Sequence, residues 1–299
     1  MHQSVLREGG NVRRAAVGVD IGGTKALMLA EGPELRGGAV TRRVDTGPET
    51  TPGDLHKAVE EFLADHQLEP TALGVAVPGL VENGRVAVSD VLPQLAEWSG
   101  LGNHTIPSLL VNDIRAALAQ EAAELSRSAT AAVVVCGTAV GSAYLSEGRV
   151  VRGARGWAGE IGSLPMTTPL GVRRLDELAG GSAIVRGAGM PPRSIHTALA
   201  EKDRRVQAVV HAAGEAFGLA LASLVNFLNP EVVRVAGGTL GYPGYWDAAL
   251  SAAQENALPE LWYSCTVERI ENPDLIVARG AIRLATAMVD GQRWVRQYV

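Results

Sequence analysis

The chain has 299 residues, 46% of them apolar and 20% charged, proportions that allow a sizeable buried core and exclude a fully disordered protein. Its 27 basic and 32 acidic side chains give a formal net charge of −5, with aromatic residues at only 4%; without a basic stripe or a stacking platform, a nucleic-acid partner is not expected. Two cysteines, Cys136 and Cys265, exclude a disulfide framework and a Cys-rich zinc site, and neither a membrane-length apolar run nor a signal-type start is present, so a cytoplasmic protein with no membrane partner is expected.

Residues 1–14 are polar and aperiodic and read as a flexible tail. Ala15–Asp20 reads as a strand, turned by Gly22-Gly23 into a second strand at Ala26–Ala30, and a third is predicted near Ala39–Val44. Thr51 opens a helix through about Asp65, with Leu55, Val59, Phe62 and Leu63 on one face. A short strand at Leu73–Val77 stops at Pro78-Gly79, Asn83-Gly84 marks a turn, and a strand at Ser108–Val111 leads through Asn112-Asp113 into a helix to about Leu125. Ala131–Cys136 is apolar throughout, as a strand covered on both faces must be. A turn at Gly137–Gly141 returns it as a strand at Ser142–Leu145. Arg152–Arg174 is loop-like and rich in Gly. A long helix spans about Asp203 to Leu228, stopped by Asn229-Pro230; a strand follows at Glu231–Ala236, and a closing helix begins near Asp274. The alternation predicts an α/β fold of two domains with a cleft between them, each half opening on a strand–Gly–strand hairpin.

Glycine is abundant, 35 of 299 residues, against a usual share of ~7%, and it gathers where a backbone must approach a ligand. In Asp20-Ile21-Gly22-Gly23-Thr24-Lys25 a strand-end carboxylate is suited to Mg²⁺ and the following amides to phosphate oxygens; an ordinary hairpin turn accounts for it equally. Asp113, where a strand meets a helix, suits a general base acting on a hydroxyl, with Asn112 positioning the substrate, but a helix N-cap explains the same residue type. Gly137-Thr138 and Gly141 form a second amide-lined turn, or merely a β-turn. Gly237-Gly238 would let a flat base lie against the backbone, or simply close a strand.

Taken together, Asp-Ile-Gly-Gly-Thr-Lys (20–25), Val-Pro-Gly (77–79), Val-Asn-Asp (111–113), Gly-Thr-x-x-Gly (137–141), Gly-x-x-Gly-x-x-Gly-Glu-Ile-Gly (153–162) and Asn-Pro-Glu-Val-Val…Gly-Gly (229–238) resemble, in order and spacing, the ROK family of repressors and sugar kinases, from about residue 15 to 290. The resemblance implies the two-domain actin-like, ribonuclease-H-like ATPase fold with an interdomain cleft. One smaller domain would comprise residues 15–113 plus about 279–299, and a larger one residues 114–278. It implies ATP and Mg²⁺ as cofactors, with Asp20, Gly22, Gly23, Thr24, Lys25, Gly137, Thr138 and Gly141 on the phosphates and metal and Gly237 and Gly238 at the adenosine. Asp113 would be the catalytic base, and Asn112, Glu160, Ser163, Asp176 and Gly79 would line a sugar-like substrate. The family's habit implies a homodimer.

The departures from the family pattern matter as much. The signature His is Ser163, and Thr167-Thr-Pro-Leu-Gly-Val-Arg-Arg174 carries none of the zinc cysteines, so zinc is not expected. The Glu after the last zinc Cys is Asp176, one methylene shorter. The middle Gly of the phosphate turn is Ala139, a weakening if the position needs a positive φ. Arg115 stands where a small residue is usual, either as an exposed helix Arg or facing the cleft to take an anionic substrate. The reading is an ATP-dependent phosphotransferase acting on a hydroxyl of a sugar or sugar-like compound. Its alternative is a weak or inactive sugar- or nucleotide-binding sensor. The family's repressors need a helix-turn-helix ahead of the first hairpin, and the 19 residues before Asp20 are too few for one. A polyphosphate donor stays open as an alternative, although no extended basic groove is visible in the sequence.

Overall fold

The computed structural model describes residues 12–102 and 108–299. Most of the expected tail, residues 1–11, lies outside the described residues, whereas Arg13 and Arg14 already belong to the first strand. The chain divides into two compact units, residues 1–120 with 275–299, and residues 121–274.

In the first unit, β1 (Arg13–Ile21), β2 (Lys25–Glu31) and β3 (Ala39–Asp45) form an antiparallel meander; α1 (Pro52–Asp65) follows. Thr51 caps α1: its hydroxyl accepts from the Asp54 N–H while the Asp54 carboxylate accepts from the Thr51 N–H at 2.9 Å, a reciprocal capping box. Leu55, Val59 and Phe62 point inward as the spacing requires, and Leu63 is half-buried. β4 (Leu68–Val77), the short hairpin β5 (Leu80–Glu82) and β6 (Arg85–Val88), β7 (Ser108–Asn112) and α2 (Asp113–Glu121) complete this stretch. The sheet order is β3-β2-β1-β4-β7, with β1, β4 and β7 parallel. The last α-helix, Ile276–Val289, lies flush on it: a Cβ at Gly18 or Gly74 would overlap the carbonyl oxygens of Ala278 and Ala281.

β4 is twice as long as expected. Its first half pairs with Arg13–Ala15, and the register shifts between Ala15 and Ala16 so that Pro70 sits beside the irregularity, a place where a missing N–H is tolerated. The predicted helix to Leu125 is α-helical only to Glu121 and ends in a 3₁₀ turn, Ala122–Glu124.

In the second unit, β8 (Ala131–Cys136), β9 (Val140–Ser146) and β10 (Arg149–Val150) repeat the meander. The segment expected to be loop-like includes a hairpin, β11 (Pro165–Thr168) and β12 (Gly171–Arg174). Its residues are mostly exposed, so no apolar alternation betrays it. Three helices follow, α3 (Asp176–Ala179), α4 (Gly181–Ala188) and α5 (Pro192–Ala200), then α6 (Arg204–Leu228). Asp203 caps α6 by accepting from the amides of Arg205 and Val206, and Asn229 ends it in a left-handed conformation before Pro230. Among the described helices α6 alone is long and apolar enough to cross a membrane, and more than half of that stretch is buried inside the unit. β13 (Val232–Ala236), α7 (Tyr245–Asn256), α8 (Pro259–Ser264) and β14 (Thr266–Arg269) finish the unit. Its sheet order, β10-β9-β8-β13-β14, places β8 at the centre, with β8, β13 and β14 parallel. Read by connectivity, this is the order of the first sheet: a three-stranded meander whose first strand is flanked by two parallel strands.

Candidate functional site

In both units the candidate residues collect where parallel strands end, the edge at which α/β sheets present loops to ligands. In the first unit β1 delivers Asp20, β4 delivers Val77-Pro78-Gly79 and β7 delivers Asn112-Asp113, and the pairings Asp20–Ala76 and Val77–Asn112 bring these ends level. After Asp20 the chain turns tightly, the Gly22 N–H donating to the Lys25 carbonyl at 2.9 Å. Thr46 pins the turn, its hydroxyl donating to the Gly22 carbonyl at 2.6 Å and its N–H to the Thr24 carbonyl at 3.0 Å. Thr24 and Lys25 are exposed. The Asp20 carboxylate accepts no hydrogen bond among the described residues; burial pushes its carboxyl up to about 6 against the opposing pull of the Lys25 charge.

Asn112 and Asp113 divide the bonding at the start of α2. The Asn112 Oδ1 accepts from the amides of Ile114 at 3.0 Å and Arg115 at 3.1 Å, the bonds an N-cap makes. Its Nδ2 donates to the Gly79 carbonyl and to Asp113 Oδ1, both at 2.9 Å. Asn112 therefore caps α2 and orients Asp113, whose Oδ1 also accepts from the Ile114 amide at 2.8 Å. The bonding capacity of the Asn112 amide is taken up by protein groups. Gly79 adopts φ +105° where a Cβ would overlap the Val88 carbonyl oxygen. Arg115 is not the exposed helix residue expected: it is 5% exposed and its guanidinium donates to the Tyr298 carbonyl at 3.5 Å, so it is part of the packing of this unit.

In the second unit β8 ends at Cys136, and the Gly137 N–H donates to the Ala139 carbonyl at 2.9 Å to make the turn, with Thr138 and Ala139 exposed. Ala139 is not among the residues with positive φ, so the methyl costs this turn no backbone strain. Gly141 lies in β9 opposite Val135. The start of α4 braces the turn: Gly181 N–H donates to Gly137 O at 2.8 Å, and Ser182 N–H to Thr138 O at 3.1 Å. The Asp176 carboxylate accepts from the Val140 N–H at 2.5 Å; burial pushes its carboxyl up, with the Val140 amide and the Arg174 charge opposing. Glu160 and Ser163 share one 3₁₀ turn, the Ser163 N–H donating to the Glu160 carbonyl at 3.1 Å, and both are exposed. Glu160 also borders an apolar concavity of about 490 Å³ with Tyr144, Ile161, Leu164, Leu224 and Phe227.

At the end of β13, Gly237 has φ +123° and Gly238 opens a 3₁₀ turn. The pair borders a concavity of about 610 Å³ together with Leu240, Arg269, Ile270 and Pro273, a size suited to a small ligand. Thr239 donates its hydroxyl to the Cys136 carbonyl. The Cys136 thiol lies 3.0 Å from the Tyr245 hydroxyl, which donates to the Ala179 carbonyl at 3.0 Å. Burial pushes that thiol up to about 11, so it stays protonated. Sequence reasoning missed the bracing pair Gly180-Gly181, Thr239 and the residues after β14. Two adjacent glycines ahead of a helix were the available signal for the first; nothing local marks the others.

The ROK family model matches residues 16–288. A bifunctional enzyme NanE/NanK of Brucella suis biovar 1 is 27% identical over 254 residues, 76% of this chain but 45% of that protein, so the chain spans less than half of that relative's length. An N-acetylmannosamine kinase of Escherichia coli O9:H4 is 26% identical over 246 residues, 75% of this chain and 82% of that one. Among solved structures, a ROK hexokinase from Thermus thermophilus superposes with a TM-score of 0.72 at 26% identity, covering 93% of this chain and 99% of that one. A ROK family glucokinase from Streptomyces griseus, in complex with glucose and AMPPNP, superposes with a TM-score of 0.74 at 21% identity, covering 91% and 99%, a likeness of fold. The match over residues 16–288 and these superpositions establish that the chain belongs to the ROK family and has its two-domain actin-like ATPase fold.

Proposed function

We propose that the chain is a sugar kinase, transferring the γ-phosphoryl group of ATP to a hydroxyl of a sugar or sugar-like substrate with Asp113 as general base. Membership of a family whose relatives bear kinase names supports the reaction class. One observation supports the residue assignment: Asn112 accepts from both the Ile114 and Arg115 amides of α2 as an N-cap does, while Asp113 shares only the Ile114 amide with it. The half-buried Asp20 carboxylate, without a hydrogen bond among the described residues, fits a cation, and the glycine-lined concavity beside Gly237-Gly238 fits a nucleoside. When bound, Mg–ATP supplies the activated phosphoryl group and neutralises its charge. The amides of Gly22, Gly23 and Thr24 in one unit and of Gly137 and Thr138 in the other would hold phosphate oxygens, with Gly141 carrying the second turn back into β9. Lys25 lies at the open end of the first. Asp113, oriented by Asn112, would take the proton of the attacking hydroxyl, and Glu160 and Ser163 would meet the substrate. The two units are the two domains of this machine, a homodimer is the expected assembly, and magnesium rather than zinc is the expected metal.

The commitment of Asp176 to a backbone amide favours a second reading, a sensor that binds sugar or nucleotide without efficient turnover. ADP release against a panel of sugars, aminosugars and cyclitols separates the two. Asp113→Asn is expected to lower kcat by roughly 10²–10⁴-fold while leaving nucleotide binding intact. No turnover on any compound, together with no ATP binding by calorimetry, refutes the kinase reading; binding alone, insensitive to Asp113→Asn, selects the sensor.

A further inference from the structure

A short segment, residues 176–182, grips both limbs of the turn after β8. On the exit limb the Asp176 carboxylate accepts from the Val140 N–H at 2.5 Å. On the entry limb the amides of Gly181 and Ser182 donate to the carbonyls of Gly137 and Thr138. Gly162, two residues past Glu160, packs so closely that a Cβ there would overlap both the Val140 carbonyl oxygen and the Asp176 carboxyl. The Asp176 side chain thus stands where the phosphate-side turn, the Glu160 loop and the start of α3 meet. An ionised carboxylate on a backbone N–H is a strong, directional bond, and its geometry depends on reach: a side chain one methylene longer would carry the oxygen past Val140.

We propose that Asp176 is a positioning residue for the turn at Gly137–Val140, holding its amides in the arrangement that binds the nucleotide's phosphates, and is not a ligand of the acceptor substrate. The proposal rests on the kinase reading for what the turn binds, though the contact itself does not depend on it. The second unit would then offer the acceptor Glu160 and Ser163, with one carboxylate fewer than the family pattern supplies.

The full chain carrying Asp176→Asn, Asp176→Glu or Asp176→Ala is compared with wild type by calorimetry with Mg–ADP and by hydrogen exchange at the Val140 amide. Asn keeps an accepting oxygen at the same reach, so Asp176→Asn is expected to bind within about twofold of wild type with Val140 still protected. Asp176→Glu keeps the charge but misplaces the oxygen; it and Asp176→Ala are expected to bind at least about fivefold more weakly and to expose Val140 to exchange. Wild-type affinity in Asp176→Glu with a loss in Asp176→Asn would make charge, not reach, decisive and overturn the proposal, as would equal affinity in all four proteins. Should Asp176→Ala fail to fold, the Asn and Glu pair carries the comparison. Failure of wild type to bind Mg–ADP would overturn the kinase reading instead, and unchanged exchange at Val140 in Asp176→Glu would then still overturn the positioning role.

Discussion

Two neighbouring glycines make opposite demands, and replacing each by alanine separates structure from binding. Gly237 has φ +123° and ψ +154°, backbone that essentially only glycine adopts, so a side chain there costs about 1–3 kcal/mol in strain. A Cβ at this position would also overlap the backbone nitrogen, carbonyl carbon and oxygen of Cys136. Those atoms end the central strand β8 and cannot rotate aside, so forced packing adds roughly 1–3 kcal/mol more. Gly237→Ala is therefore expected to lose about 2–6 kcal/mol, a large share of the ~5–15 kcal/mol that holds a typical domain folded. Gly238 has ordinary φ and nothing within 4 Å of a built Cβ, so Gly238→Ala is expected to stay within about 0.5 kcal/mol of wild type. Because Gly238 borders the concavity assigned to the nucleoside, the same substitution should weaken Mg–ADP binding. Urea denaturation followed by circular dichroism, with calorimetry on the folded variants, reads both quantities. A loss below about 1 kcal/mol in Gly237→Ala, or equal losses in the two variants, refutes the assignment of strain to Gly237 alone.

Thr51→Ala removes the hydroxyl half of the capping box on α1 and is expected to cost about 1 kcal/mol, read as a lower denaturation midpoint with unchanged kinetics; no change in midpoint would mean the box contributes nothing. Asp20 gives a pH prediction. Burial raises its carboxyl to about 6 in the folded chain from 3.8, so between those values the native state holds a proton the unfolded chain has released, and stability falls as pH rises through that interval. Asp20→Asn is expected to match wild type at pH 4 and to exceed it at pH 7.5 by a gap on the order of 1–3 kcal/mol; a gap that does not vary with pH overturns the role given to burial.

Much of the architecture was legible because single residues enforce it. The unbroken apolar, β-branched run Ala131–Cys136 suits a strand covered on both faces, and β8 is central. Asp203 and Asn229-Pro230 bound α6 by chemistry that needs no tertiary context. Asn83-Gly84 turns the β5–β6 hairpin with both residues at positive φ. Other features depended on distant partners. Pro70 reads as a strand breaker until the register shift beside Ala15 is seen. Arg115 reads as a surface helix residue because nothing nearby in the chain announces the Tyr298 carbonyl. In the site, Asn112 and Asp113 are equally good caps by residue type, and only the hydrogen bonds say which one caps. Asp176 was found from the family pattern, but its bond to Val140 was not, since a carboxylate's reach toward an amide 36 positions away leaves no local trace.

The two sheets share one strand order, yet their carboxyl edges carry different chemistry. The first edge ends in carboxylates, Asp20 in the last pleat of β1 and Asp113 after β7; the second ends in glycines, Gly137 after β8 and Gly237-Gly238 after β13. Phosphoryl transfer needs both kinds of edge, one for metal and proton and one of backbone donors for anionic oxygens. The glycine edge must still be rigid, because donors that reorganise during reaction lose their advantage. In the second unit that rigidity comes from a buried cluster: Thr239 on the Cys136 carbonyl, Cys136 against Tyr245, and Tyr245 on the carbonyl of Ala179, immediately ahead of the Gly180-Gly181 brace. Each turn on this edge is thereby tied to the end of β8 by a hydrogen bond from a neighbouring segment. The same bonds also satisfy the buried carbonyls where β8 ends, so the packing of this unit and the fixed posture of the turns at 137, 180 and 237 rest on one set of contacts, and a substitution that loosens one loosens the other.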